Sequence, residues 1–71
     1  MTLFEIVRTL REVSGCKDVH SHIINNELKL TFFGHEGRII SKIFTDEELR
    51  NTSVTYWRTN GLMIKRELRI Q

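Results

Sequence analysis

Val54-Thr55-Tyr56-Trp57-Arg58-Thr59-Asn60-Gly61-Leu62-Met63-Ile64-Lys65-Arg66-Glu67-Leu68-Arg69-Ile70-Gln71 is the stretch on which the fold turns. Asn-Gly between two apolar and aromatic runs is the strongest short-range hairpin signal, because a type I′ turn needs positive φ at both central residues. On that reading Leu62, Ile64, Leu68 and Ile70 share one strand face and Met63, Lys65, Glu67, Arg69 and Gln71 the other, with Arg66 alone out of place. Pairing across the turn sets Trp57 opposite Ile64, as core, and Tyr56 opposite Lys65, on the wetter face. Charge gathers here too. Arg58, Lys65, Arg66 and Arg69 against Glu67 give the stretch +3, whereas residues 1–53 carry seven basic and eight acidic groups.

Outward from this stretch, the reading of residues 45–59 divides. Thr45-Asp46-Glu47-Glu48 is a capping box, so a helix starts there. It stops within 46–51 if Asn51, Thr52, Val54, Thr55 and Thr59, all weak helix formers, lead into a strand. Alternatively it runs to Thr59 along Leu49, Ser53, Tyr56 and Trp57, with Gly61 as its stop. Both versions keep a strand over 62–70, and the hairpin is the preferred one.

The first half is easier. Leu3, Phe4, Ile6, Val7, Leu10 and Val13 recur at helical spacing behind Thr2 as N-cap, and Ser14-Gly15 ends the segment, so residues 3–14 read as an amphipathic helix. Asn25-Asn26 makes a two-residue turn that pairs Ile24 with Glu27, Ile23 with Leu28 and Val19 with Phe32. A four-residue loop, Gly34-His35-Glu36-Gly37, then pairs Phe33 with Arg38 and sets Ile39, Ser41 and Ile43 beside Phe32, Leu30 and Leu28. Both turns converge on one apolar face (Val19, Ile23, Leu28, Leu30, Phe32, Ile39, Ile43), onto which the first helix packs. The other face carries His20, His22, Ile24, Phe33, Ile40 and Phe44. The expected fold is α+β, with an N-terminal helix on an antiparallel sheet made of a three-stranded meander and a C-terminal hairpin or strand, and a short helix between.

Composition sets bounds. With 71 residues, 39% of them apolar and 28% charged, the chain suits a single small domain whose core yields only about 3–5 kcal/mol. One cysteine excludes an internal disulfide, no apolar run approaches a membrane span, and the start lacks a signal peptide, so a reducing cytoplasm is expected. Cys16-x3-His20-x-His22 with a distant His35 matches no strong zinc pattern, and neither metal nor cofactor is expected. A ribonuclease built on His22 or His35 with Arg38 lacks any motif that fixes the pair together, and no enzyme is expected.

Two function classes survive. The first is a small non-enzymatic nucleic-acid-binding regulator of the kind phages and plasmids encode: Arg58, Lys65, Arg66 and Arg69 would neutralise phosphates and Tyr56 would stack on a base. The second is a protein-binding module, either a homodimer through a strand edge or a small inhibitor of a larger host protein, using Ile24, Phe33, Ile40 and Phe44. Residues 52–62, Thr52-Ser53-Val54-Thr55-Tyr56-Trp57-Arg58-Thr59-Asn60-Gly61-Leu62, resemble the end of a MerR-type recognition segment running into its wing. That family's helix-turn-helix spacing does not precede them here and strands stand where it has helices, so no site residue is carried over.

Overall fold

The computed structural model describes residues 1–70, with Ile70 through its backbone alone; Gln71 and the Ile70 side chain, both assigned to strand faces above, lie outside the described residues. Its elements are α1 (Leu3–Ser14), β1 (Asp18–Ile24), β2 (Glu27–Phe33), a 3-10 turn (His35–Gly37), β3 (Ile39–Phe44), α2 (Asp46–Leu49) and α3 (Val54–Ile70). The α+β class, the N-terminal helix, the meander and the short helix are all present. The C-terminal ribbon is not: it is a continuous helix.

Each helix start is written in its first residues. The Thr2 hydroxyl accepts from the Glu5 N–H at 3.1 Å while Glu5 Oε1 accepts from the Thr2 N–H at 3.2 Å. Gly15 closes α1 in the left-handed conformation (φ 69) and donates its N–H to the Arg11 carbonyl at 3.0 Å. The same capping box recurs at Thr45 and Glu48, opening a single turn of helix. Then the chain breaks and restarts. Asn51 Oδ1 takes the Ser53 N–H at 2.8 Å, and Ser53 Oγ accepts from the Tyr56 N–H at 3.2 Å, which is N-cap geometry for α3.

From there the apolar residues keep helical time. Among the described side chains of α3, Trp57, Gly61, Ile64 and Leu68 are the buried positions, spaced i, i+4, i+7 and i+11. Ile64 and Leu68, four apart, satisfy a strand alternation as well as a helical stripe, which is why the strand reading arose. Asn60-Gly61 sits in mid-helix, and the Asn60 side-chain amide donates to the Tyr56 carbonyl at 3.0 Å. Gly61 is there for space. A Cβ at 61 would lie 2.8 Å from Val13 Cβ, so the glycine is where α3 rests on α1. Arg66, the misfit of the strand alternation, falls on the exposed side of the helix.

The meander holds with one correction. Asn25 and Asn26 take positive φ (49 and 64), and β1 pairs with β2 as the turn requires, Ile24 with Glu27 through Asp18 with Phe33. The second connection is one residue longer than expected, because Gly34 N–H bonds to the Arg38 carbonyl at 2.7 Å while Glu36 and Gly37 both turn left-handed. Phe33 therefore pairs with Ile39 rather than Arg38. A slip of one residue exchanges the faces of a strand. Ile40, Lys42 and Phe44 join Phe32, Leu30 and Leu28 on the covered face, and Ile39, Ser41 and Ile43 turn outward, where the Ser41 and Thr31 hydroxyls bond at 3.2 Å.

Both helices cover the same face of the sheet, in strand order β1-β2-β3. Ile6 and Leu10 from α1, Leu28, Leu30, Phe32 and Phe44 from the sheet, and Trp57, Ile64 and Leu68 from α3 make one core, with Cys16 at its margin. Trp57 is its largest member. Its ring meets Phe44 edge-on at 5.4 Å and Tyr56 at 5.0 Å, and its Nε1–H donates to the Asn51 carbonyl at 2.8 Å. Leu3 and Phe4, counted above in the buried stripe of α1, remain exposed. Lys42, on the covered face, carries its charge out to Glu67 at 2.8 Å and ties β3 to α3.

Candidate nucleic-acid interface

With 57, 61, 64 and 68 pointing inward, a second set of residues falls on the flank of the helix that turns toward solvent. Arg58, Leu62, Lys65, Arg66 and Arg69 fall at i, i+4, i+7, i+8 and i+11, a single stripe on the outer side of α3. Arg58, Leu62, Arg66 and Arg69 are exposed and Lys65 is half-buried. From Arg58 to Arg69 the stripe is about 16 Å long at the helical rise. Four of the five residues proposed from sequence thus come together, although on a helix rather than a ribbon. Tyr56 does not join them. It lies half-buried against Trp57, with its hydroxyl donating to Glu48 Oε2 at 3.3 Å.

What sets the stripe apart is the absence of internal partners. Elsewhere Arg8 pairs with Glu12 at 3.1 Å, Lys42 with Glu67 at 2.8 Å and Arg50 with Asp46 at 2.8 Å, and Arg11 donates to the Lys17 carbonyl at 3.1 Å. Among the described residues no ion pair or side-chain hydrogen bond engages Arg58, Lys65, Arg66 or Arg69. Lys17 and Lys29 have no such partner either, but one sits before β1 and the other on the open sheet face, apart from the stripe. Leu62, Lys65, Arg66 and Arg69 line a shallow depression of about 330 Å³. Sequence reasoning placed Leu62 in the core; read at period 3.6 from Trp57, it belongs to the stripe.

At its C-terminal end the stripe meets a second feature that sequence reasoning did not find. Arg38, arriving from the β2–β3 loop, donates through Nη1 to the Leu68 and Arg69 carbonyls, both at 3.1 Å, and so caps α3 with a side chain from another element. In the sequence Arg38 reads only as the strand partner of Phe33 and as a phosphate-holding candidate beside His22 or His35, because nothing local signals a bond to the end of α3.

The protein-interface residues divide. Ile24 is 47% exposed and Phe33 half-buried on the open sheet face, but Ile40 packs on the core and Phe44 is 3% exposed inside it. The register shift moved them, and Ile39 and Ile43, 50% and 60% exposed, stand on the open face instead. His20 and His22 also lie on that face, whereas Cys16 is buried at the core margin. His20 Nε2 is 3.3 Å from Asp18 Oδ2, and its ring lies 4.6 Å from that of Phe33. The Asp18 carboxyl sits below its usual range, first because the Val19 N–H bonds to it and then through His20. Among the described residues no three of His, Cys, Asp or Glu are placed to hold a metal ion. His35 follows Phe33, which pairs with Asp18; His22 pairs with Lys29, about 13 Å farther along β2 at the strand rise, so the two histidines occupy opposite ends of the sheet. No described helix is long and apolar enough to cross a membrane.

No protein-family model, curated protein or solved structure matches the chain.

Proposed function

We propose that this protein binds nucleic acid without catalysis, through the outer stripe of α3, and acts as a small regulator of the kind phages and plasmids encode. One observation carries the reading: four cations, three of them exposed, stand along one helix stripe with no side-chain partner among the described residues. Unpaired cations retain their full capacity to displace counterions from a phosphate backbone. A helix also fits the major groove of duplex DNA, so the change from ribbon to helix keeps the surface suited to the ligand. Tyr56, held by Glu48 and Trp57, is left out of the contact set.

Binding to labelled duplex DNA and to RNA, followed across a salt series, tests this. Each phosphate contact adds about 0.9 to the slope of log affinity against log salt on duplex DNA, so Lys65→Glu with Arg69→Glu should flatten the slope by about two contacts and weaken binding to every sequence alike. No binding at low salt, or a slope indifferent to the double variant, rejects the proposal.

A second reading is supported by the open sheet face, where Ile24 and Ile43 are exposed. Here the protein is a homodimer or captures a larger protein through that face. Sedimentation equilibrium of wild type and Ile43→Lys decides it: a dimer lost on substitution supports the reading, and a monomer at every concentration removes the homodimer.

A further inference from the structure

We infer that the cleft where the C-terminal turns of α3 meet the β2–β3 loop is a seat for a phosphate monoester. The cleft encloses about 370 Å³, within the range of small-ligand pockets. One wall is the end of α1 at Gly15 and Cys16, another is the loop at Gly34 and His35, and the third is α3. Gly34 sets its width. A Cβ there would meet Leu68 Cδ2 at 3.2 Å and Arg38 Cβ at 3.4 Å, so the bare backbone lets the loop close up against the helix.

The chemistry of the lining is cationic. Arg38, Lys65 and Arg69 contribute three positive charges, and among the described residues Glu36 is the one carboxylate of the lining. The carbonyl end of a helix ordinarily repels anions, but here Arg38 Nη1 already occupies the Leu68 and Arg69 carbonyls. Those two bonds also hold the guanidinium in place, so its remaining N–H groups are oriented before any ligand arrives. Glu36 Oε2 stands 3.9 Å from Arg38 Nη2, beyond hydrogen-bond reach, on an exposed side chain that can turn away. Three cations against one carboxylate suit a dianion, which a terminal phosphate provides and a backbone diester does not.

Lys65 and Arg69 belong to both the cleft and the α3 stripe. A strand lying along the stripe would therefore end with its terminal phosphate in the cleft, an extension that rests on the nucleic-acid reading; a free nucleotide would need the cleft alone. Amide spectra of the isotope-labelled protein titrated with AMP and, separately, with adenosine test the seat. Saturable shifts at Gly34 and His35 with AMP and not with adenosine are expected, and Lys65→Gln, its fold verified by circular dichroism, should weaken them about tenfold, as loss of one charge-assisted contact does. Anisotropy with 5′-phosphorylated and 5′-hydroxyl oligonucleotides distinguishes the sources. Tighter binding of the phosphorylated strand, with Arg58→Gln lowering affinity for both strands and leaving their ratio unchanged, assigns the seat to strand ends. AMP binding without oligonucleotide binding keeps the seat for free nucleotides and removes the nucleic-acid reading. Oligonucleotide binding indifferent to the terminal phosphate, with no response to AMP, overturns the seat and leaves that reading standing.

Discussion

Gly61 is a helix residue whose replacement by alanine should go against the usual sign. In an open helix interior that change gains about 0.5–1 kcal/mol, because glycine loses more backbone freedom on folding. Here the new methyl would arrive 2.8 Å from Val13 Cβ and 2.9 Å from its Cγ1. Gly61→Ala is therefore expected to destabilise by about 1–3 kcal/mol in urea unfolding, as overpacking does, and Val13→Ala in the same chain should return part of that loss. A more stable single variant would show that the helices do not approach there. Trp57, the lone tryptophan, reports the unfolding by its fluorescence. Its own replacement by phenylalanine leaves the Asn51 carbonyl without its donor and a space beside Phe44, with an expected loss of about 1–3 kcal/mol. These two residues also mark what local chemistry conceals. Trp57 was legible as core because a large aromatic seeks burial under either reading. Asn60-Gly61 was not, because the smallest residue serves a positive-φ turn and a tight helix crossing equally well, and the surface that decides between them lies on α1, at the other end of the chain.

At the scale of elements, the starts of α1 and α2 and the first turn of the meander were the legible parts, and the start of α3 was not. Thr2 with Glu5, Thr45 with Glu48 and the Asn25-Asn26 turn each act through bonds a few residues long, and each stands where the sequence put it. The β2–β3 loop shows the limit of such reasoning. Its extra residue depends on Glu36 accepting a left-handed conformation (φ 61), which a non-glycine residue rarely signals, and that one residue reversed which face of β3 is covered. The start of α3 rests on Ser53, so Ser53→Ala should cost about 1 kcal/mol and the exposed neighbour Thr52→Ala close to nothing, both read from thermal unfolding. The capping box of α1 makes a prediction in pH. The Thr2 N–H, and then its hydroxyl, hold the Glu5 carboxyl below its ordinary value, so the folded state favours the ionised form. That stabilisation is complete above the pKa of the unfolded chain and disappears as pH falls through the lowered folded value. In Glu5→Gln the acid limb of the stability curve should accordingly be shallower than in wild type; identical limbs would mean the box contributes nothing.

Over the whole molecule, polar and apolar groups are sorted by side rather than by segment. The basic residues noticed in the tail became a surface only once α3 was wound as a helix and its inner face committed to Leu10, Leu30 and their neighbours. Their identities were legible, their geometry was not, and the cleft beside them was invisible because its walls come from three separate stretches of sequence. The Lys42–Glu67 pair joins sheet to helix at a partly exposed site, and ion pairs of that kind contribute about 0–1 kcal/mol. Lys42→Met, which keeps the aliphatic stem on the covered face, should change stability by less than about 1 kcal/mol in denaturant titration. A larger loss would show that the pair has a structural role beyond its charge.

The packing of α1 against α3 also has a consequence in time. During synthesis α1 and the whole meander leave the ribosome before Trp57, Ile64 and Leu68 exist outside it, and until then the covered face of the sheet has half its lid. Contacts between elements so far apart in sequence close slowly, and a sheet with half of its apolar face uncovered is prone to stick to other chains. A nascent or truncated chain lacking α3 should therefore engage chaperones and resist native-like protease protection, and protection should appear in one step when α3 emerges.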